Sequence, residues 1–226
     1  MIQPKALAVV NEVRKAIIGK DTVVCKALMA ILAKGHILLE DNPGVGKTTL
    51  ALAFSRAMSL SYNRVQFTPE VMPADVVGFS VYDKEKGTFS YRPGAALCNL
   101  FLADEINRTS AKTQSALLEA MEEGQVTVDG VSHRLPQPYT VIATQNPVGS
   151  AGTQMLPESQ LDRFMLRLSI GYPALDQEVK ILKQTEGARP VDTLQTVATL
   201  DDVREMQEEV AAVHIADELY LYVAKL

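Results

Sequence analysis

The sequence predicts an α/β protein built on a parallel sheet with helices packed against it. Three observations carry this. Short apolar runs of strand length recur between helical patterns from His36 to Ile170. Two of them, Leu100–Leu102 and Tyr139–Thr144, are apolar with little alternation, as strands buried on both faces are. The first run, His36–Glu40, leads through a Pro/Gly loop directly into a helix.

In chain order, Lys5–Ile18 has helical spacing at Val10, Val13 and Ile17, and Gly19 ends it. Asp21 can cap a second helix running to Ala33 on the stripe Val24, Leu28, Ile31. A helix over Lys47–Met58 follows the Pro/Gly loop, then a β-rich run at Tyr62–Phe67. Thr68–Gly78 carries two prolines and reads as a loop. Phe79–Tyr91 reads as a hairpin turning at Asp83–Gly87, with Phe79 and Val81 on one face and Phe89 and Tyr91 on one face. Ser110–Glu123 is a helix stopped by Gly124, and Gln125–Leu135 a second hairpin with an Asp129-Gly130 turn. Pro157–Phe164 is a short helix and Leu166–Ile170 a fifth strand. Beyond Tyr172-Pro173 the chain is helical, with stripes Leu175/Val179/Leu182, Val203/Met206/Val210/Val213 and Leu219/Tyr222/Val223/Leu226. The last stripe has no stop signal, so a fragment of a longer protein is expected.

The 226 residues, 47% hydrophobic, suffice for one large core or a main domain with a small appendage. A net charge of −5 argues against nucleic acid as the main partner. Cys25 and Cys98 sit in apolar contexts without metal spacing and read as buried free thiols of a reducing compartment. The N-terminus is no signal peptide and no run approaches membrane-spanning length, so a cytoplasmic protein is expected. The charged run Asp201–Glu209 reads as a solvated helix face.

Two stretches carry chemistry. Residues 36–50 read HILLEDNPGVGKTTL. Asn42, Pro43, Gly44, Val45 and Gly46 form a loop whose backbone N–H groups gather at a helix N-terminus, where the dipole favours anions. Gly44 and Gly46 allow close backbone approach and positive φ. Lys47 puts an ammonium where terminal phosphates would sit, Thr48 offers a hydroxyl to Mg²⁺, and Thr49 continues the helix. The pattern G-x-x-x-x-G-K-[ST] is met except at Asp41, which stands where it has Gly; Asp tolerates left-handed turns better than most residues. A strand-to-helix turn with no ligand is the plain alternative.

The second stretch, NLFLADEIN, ends a buried strand in Asp104 and Glu105. Ligands bind at the carboxyl ends of parallel strands, so Asp104 would meet the Mg²⁺ near Thr48 and Glu105 could polarise a water for attack on a γ-phosphate. An acidic pair capping a strand is the alternative. Asn146 ends the Tyr139 strand, where its amide could bond the attacking water or the γ-phosphate, or simply form an Asn-Pro turn. Arg163 either pairs with Asp162 at the surface or reaches a neighbouring subunit's nucleotide. The corner Ile17-Ile18-Gly19 could wall an adenine ring.

Taken together, LLEDNPGVGKTTLA, QFTPEVMPADVVG, FLADEINRTSAKTQSALLEAMEE, VIATQNP and LPESQLDRF resemble the MoxR family of AAA+ ATPases over roughly Ile17 to Ile170. The resemblance implies an αβα P-loop core with a parallel five-stranded sheet over residues 1–171 and a partial helical lid over 172–226. It implies Walker A at Lys47 and Thr48, Walker B at Asp104 and Glu105, sensor 1 at Asn146, and a trans-acting arginine finger at Arg163. The two hairpins correspond to the helix-2 insert and the hairpin before sensor 1. The family's lid goes on to a sensor 2 arginine, which these residues do not contain. Implied in turn are ATP and Mg²⁺ as ligands and hydrolysis at the interfaces of a ring, by resemblance a hexamer. The work implied is chaperone-like remodelling or activation of partners, among them von Willebrand factor A domain proteins and metalloenzymes. Alternatives are a nucleotide-dependent assembly module with little hydrolysis, a DNA-linked or chelatase-like motor, and, last, a small-molecule kinase.

Overall fold

A computed structural model of the chain describes residues 4–85, 87–146, 155–184 and 189–225. The elements run α1 (Pro4–Arg14), α2 (Asp21–Leu32), β1 (Ile37–Glu40), α3 (Lys47–Ala57), β2 (Tyr62–Gln66), α4 (Pro73–Val77), β3 (Gly78–Asp83), β4 (Thr88–Pro93) and β5 (Leu100–Asp104). They continue with α5 (Ala111–Glu123), β6 (Gln125–Val128), β7 (Val131–Arg134), β8 (Thr140–Gln145), α6 (Glu158–Leu161), β9 (Leu166–Leu168), α7 (Leu175–Gln184), α8 (Leu200–Ala211) and α9 (Asp217–Val223). Leu226 and Pro147, both used in the sequence patterns, lie outside the described residues.

Five strands form one sheet in the order β2-β5-β8-β1-β9, with every neighbouring pair parallel. The apolar runs are explained by burial on both faces. Ile37, Leu39, Leu100, Leu102 and Ile142 pack into one cluster with α1, α2 and α3. Leu38, Phe101, Ala103, Val141 and Ala143 alternate with them and pack into a second cluster with α4 and α5. The result is the αβα sandwich with a parallel five-stranded sheet that the sequence predicts.

Several boundaries differ. Thr68–Gly78 is not all loop. Pro73 sits in the first turn of α4, where its missing N–H costs nothing, and the Met72 N–H donates to Asp75 Oδ2 at 2.9 Å. The last strand is only Leu166–Leu168; beyond it the Ile170 N–H donates to Asp41 Oδ2 instead of to a neighbouring strand. Cys98 is buried, and burial pushes its thiol up to about 12, but Cys25 is only half-buried.

Asp21 does not cap α2: Lys20 holds the cap position, Asp21 is the first helical residue, and its carboxylate pairs with Arg14 Nε at 3.1 Å. Two other signals are met. Ser110 caps α5 by accepting the Thr113 N–H at 3.3 Å. Asp129 and Gly130 have φ of 50° and 78°, the left-handed pair a type I′ hairpin turn requires. In the first hairpin, Tyr82 pairs with Phe89 and Ser80 with Tyr91, so Phe89 and Tyr91 share a face opposite Phe79 and Val81. The two hairpins touch: the Tyr91 and His133 rings stack 3.6 Å apart at 10°, and Tyr91 Oη donates to the Val77 carbonyl at 2.6 Å.

After α7 the chain returns to the helices on the first face of the sheet. Val191, Leu194, Ala198, Val203 and Met206 join the same buried cluster as α1–α3. The Val197 and Ala198 N–H groups donate to the Ala57 carbonyl at 2.9 and 3.0 Å, and Gln207 Nε2 to the Ile31 carbonyl at 2.8 Å. Asp202, within the charged run, pairs with Lys5 at 2.5 Å, so that run is solvated on one side and tethered on the other. No helix among the described residues is long and apolar enough to cross a membrane.

His36, just before β1, is a buried joint between sheet and α5. The Val141 N–H donates to its Nδ1 at 3.0 Å, and Nε2 lies 3.1 Å from the Met121 carbonyl. A neutral ring with its proton on Nε2 satisfies both contacts. Burial holds its pKa below the usual 6.5, partly offset by the Met121 carbonyl. The unfolded chain therefore binds the proton first, and stability falls as pH drops through about 6.5. Denaturant midpoints at pH 7 and pH 5 check this: the wild-type midpoint drops more than that of His36→Gln.

Candidate functional site

The site forms at the carboxyl edge of β1, β8 and β5, where open parallel sheets place their ligands. Register aligns the strand ends. Glu40 lies opposite Gln145, Ala103 opposite Ala143, and Gln66 opposite Asp104. Asp41, Asn146 and Glu105 therefore leave adjacent strands at one level, though they are far apart in sequence.

Residues 41–46 bridge β1 to α3. Gly44 and Gly46 have φ of 87° and 96°, and the space beside each Cα is open. Their role is thus conformational: an L side chain would be strained there whatever the room. Asp41 does not make the left-handed turn expected of it. It is not among the described residues with positive φ, so its tolerance of left-handed turns is not why it is there. Its carboxylate is buried and bonds the segment after β9.

Lys47 is 8% exposed. Its ammonium donates to the Asp41 carbonyl at 2.6 Å, the Asn42 carbonyl at 3.2 Å and Asn146 Oδ1 at 3.3 Å. Burial pushes its pKa down, and Asp104, Asp41 and Glu105 pull it back. A buried cation whose hydrogen bonds among the described residues go to neutral oxygens is a strong site for an arriving anion.

The two carboxylates are held differently. Asp104 Oδ1 accepts the Thr144 hydroxyl at 2.7 Å, while Asp104 Oδ2 accepts Arg64 Nη2 at 2.7 Å and Nε at 3.2 Å. Glu105 has φ 57° and ψ 49°, a left-handed conformation that costs an L residue on the order of 1–2 kcal/mol. That turn is fixed by the Glu105 N–H donating to Thr144 Oγ1 at 2.9 Å. The carboxylate accepts Asn146 Nδ2 at 3.0 Å and Arg108 Nη1 at 2.7 Å. Asn146 thus bridges Lys47 and Glu105.

A cleft of about 380 Å³ is lined by Pro43, Gly44, Gly46, Lys47, Thr48, Thr49, Asp104 and Glu105, with Arg64 and Gln66 on its far wall. A second, mostly apolar pocket of about 280 Å³ shares Thr48 and Thr49 and is walled by Ala16, Leu52, Ile181, Pro190 and Val191. The residues fit a polyphosphate with its cation. The loop is open, Lys47 is in place, and Thr48 and Asp104, oxygen donors suited to a hard divalent cation, line the same cleft.

Two sets of sequence candidates lie elsewhere. Ile18 and Gly19 line neither pocket; Gly19 lies under the Gln177 side chain of α7, where a Cβ would come within 2.1 Å of Gln177 Cδ. Arg163 is outside the cleft and does not pair with Asp162. Its Nη2 lies 3.0 Å from Glu122 Oε2 on α5, and its Nη1 donates to the Ser159 carbonyl at 2.7 Å. Sequence reasoning missed Arg64, Arg108 and Thr144. Arg64 had a signal: it lies two residues before the end of β2, hence on the face that Gln66 shares with Asp104.

The chain matches the model of the ATPase family associated with various cellular activities (AAA) over residues 36–166. It is 47% identical over 217 residues to the uncharacterized protein YeaC of Bacillus subtilis, covering 96% of this chain and 68% of that one. It is 40% identical over 215 residues to Chaperone MoxR1 of Mycobacterium tuberculosis, covering 95% of this chain and 56% of that one. A crystal structure of a Cytophaga hutchinsonii protein superposes with a TM-score of 0.86 at 37% identity, over 98% of this chain and 67% of that one. The chain thus spans between about half and two thirds of the relatives it matches. With a Gly-rich loop between β1 and α3, paired carboxylates at the end of β5 and a polar amide after β8, this chain belongs to the MoxR family of ATPases associated with various cellular activities.

Proposed function

We propose that this chain binds ATP with Mg²⁺ in the cleft between residues 42–49 and the end of β5, and hydrolyses it at the interfaces of a ring of copies. The observation that carries the reading is the hydrogen-bonded chain Lys47–Asn146–Glu105, assembled from the start of α3 and the residues that follow β8 and β5. The loop amides and Lys47 hold the phosphates. Thr48 and Asp104 hold Mg²⁺, which when bound neutralises charge on the terminal phosphates. Glu105, aimed by Thr144 and Arg108, orients the water and accepts its proton as the water oxygen attacks the γ-phosphorus and the ADP oxygen leaves. Asn146 fixes Glu105 relative to Lys47. The apolar pocket beside Thr49 takes the base, a role the sequence suggested for Ile18 and Gly19. Arg163, remote from its own cleft, serves the site of the next subunit.

The work done is chaperone-like remodelling or activation of protein partners in the cytoplasm, by a ring we take to be hexameric. Proteins with a von Willebrand factor A domain and metalloenzymes are the partner classes we propose. Within the segment 172–226, read from the sequence as a partial lid, α7 serves as the lid element beside the base, through Ile181, while 191–206 pack onto α1–α3.

Lys47→Ala tests the reading at the binding step. Hydrogen bonds from a charged donor are worth about 1.5–3 kcal/mol, so the Kd of a fluorescent ADP analogue rises about 10–100-fold. An unchanged Kd removes Lys47, and with it the cleft, from nucleotide binding.

A further inference from the structure

One residue of the phosphate loop bonds in two directions. The Asp41 carbonyl is the nearest partner of the Lys47 ammonium, at 2.6 Å. The residue is 7% exposed, and its carboxylate turns away from the cleft. Asp41 Oδ1 accepts the Ser169 hydroxyl at 2.8 Å and the Gly171 N–H at 3.1 Å, and Oδ2 accepts the Ile170 N–H at 2.5 Å. All three donors are neutral and belong to one short segment. Burying a carboxylate is costly, and two backbone N–H groups with a hydroxyl offset that cost only while the segment stays in register.

The same segment is held from a second side. Lys20 Nζ donates to the Tyr172 carbonyl at 2.8 Å, and Gln177 lies against Gly19. Gly171, at φ 66°, makes the bend between. The strap 169–177 runs into the first turn of α7, whose Ile181 walls the apolar pocket next to Thr49.

We propose that Asp41 is a positioning residue that couples the phosphate loop to this strap, so that filling the loop sets how firmly the strap and α7 are held. The inference rests on the nucleotide reading of the cleft. A polyphosphate draws Lys47 off the Asp41 carbonyl and gathers the loop amides onto itself. Asp41, at the root of that loop, is then pinned, and its carboxylate clamps the amides of Ile170 and Gly171. A bare Gly at this position would complete the phosphate-loop pattern and leave the strap unheld.

The test is hydrogen exchange of peptides covering 169–177 in the full chain, with and without saturating ADP and Mg²⁺. ADP binding is established first by titration for each protein. In the wild type, ADP slows exchange of these amides on the order of tenfold, a local-opening effect. In Asp41→Asn, whose amide sets N–H donors against the N–H donors of the strap, the slowing shrinks to under about twofold at ADP saturation. Ser169→Ala, which removes one donor and leaves the buried carboxylate two, gives an intermediate value. A merely structural role for Asp41 would speed exchange equally with and without ADP and leave the ratio intact. A wild-type ratio in both variants, or no slowing in wild type with ADP bound, overturns the proposal. If Asp41→Asn does not fold, Ser169→Ala decides alone: a reduced ratio supports the clamp and an unchanged one overturns it. A wild-type chain that fails to bind ADP overturns the nucleotide reading itself, and the coupling with it.

Discussion

Replacing Glu105 by Gln leaves ADP and ATP bound and lowers ATP turnover by about 10²–10⁴-fold, the range a positioned general base contributes. The geometry explains why so small a change is so costly. Glu105 sits on a left-handed backbone turn that its neighbours hold in place: Thr144 accepts its N–H, and Arg108 and Asn146 donate to its two oxygens. Gln keeps the shape but turns one oxygen into an NH₂, which must then face the donor group of Arg108 or Asn146. It also cannot accept a proton from water. The assay is steady-state phosphate release alongside nucleotide titration. Turnover within a few-fold of wild type with binding intact would take Glu105 out of the proton-accepting role.

Arg163→Ala is expected to lower turnover by about 10³–10⁵-fold in the assembled protein, the effect of removing an arginine finger. The isolated subunit should bind nucleotide as before, because Arg163 lies outside the cleft and is held by Glu122 and the Ser159 carbonyl. That docking leaves a guanidinium on the surface, 36% exposed, in a fixed orientation. The decisive experiment mixes the two inactive variants. If each site needs Glu105 from one subunit and Arg163 from the next, mixed assemblies contain some sites with both, and activity returns. Mixtures that stay inactive, although the variants co-assemble, would place Arg163 elsewhere.

The parts of this molecule that could be read in advance are those whose cause is local. The loop after β1 is punctuated by Gly44 and Gly46, which the backbone needs at positive φ, and by Lys47 at the helix start. The strands that end in Glu40 and Asp104 and the one that leads to Asn146 are apolar because the sheet is covered on both faces. What escaped depends on pairings between distant segments. Nothing near Asp41 says that its carboxylate meets Ile170, and nothing near Arg163 says that it prefers Glu122 to adjacent Asp162. The return of 189–211 onto α1–α3 is equally nonlocal, because its apolar stripe fits any complementary helical face. Arg64 is the intermediate case, visible once β2 is paired with β5 and not before.

The stack of Tyr91 on His133 has a mechanical meaning. The hairpins that carry them leave the body of the protein at separate points, one before β5 and the other after α5. Taken singly, each would be a slender two-stranded arm of little stiffness. Joined ring to ring, they behave as a braced pair of struts. A load applied at the exposed Phe89 tip is shared with the root of the second hairpin, where Val126 is anchored in the core beneath. The first hairpin is thus joined ring to ring to the hairpin that follows α5, the helix whose last turn carries Glu122 and the Arg163 paired with it.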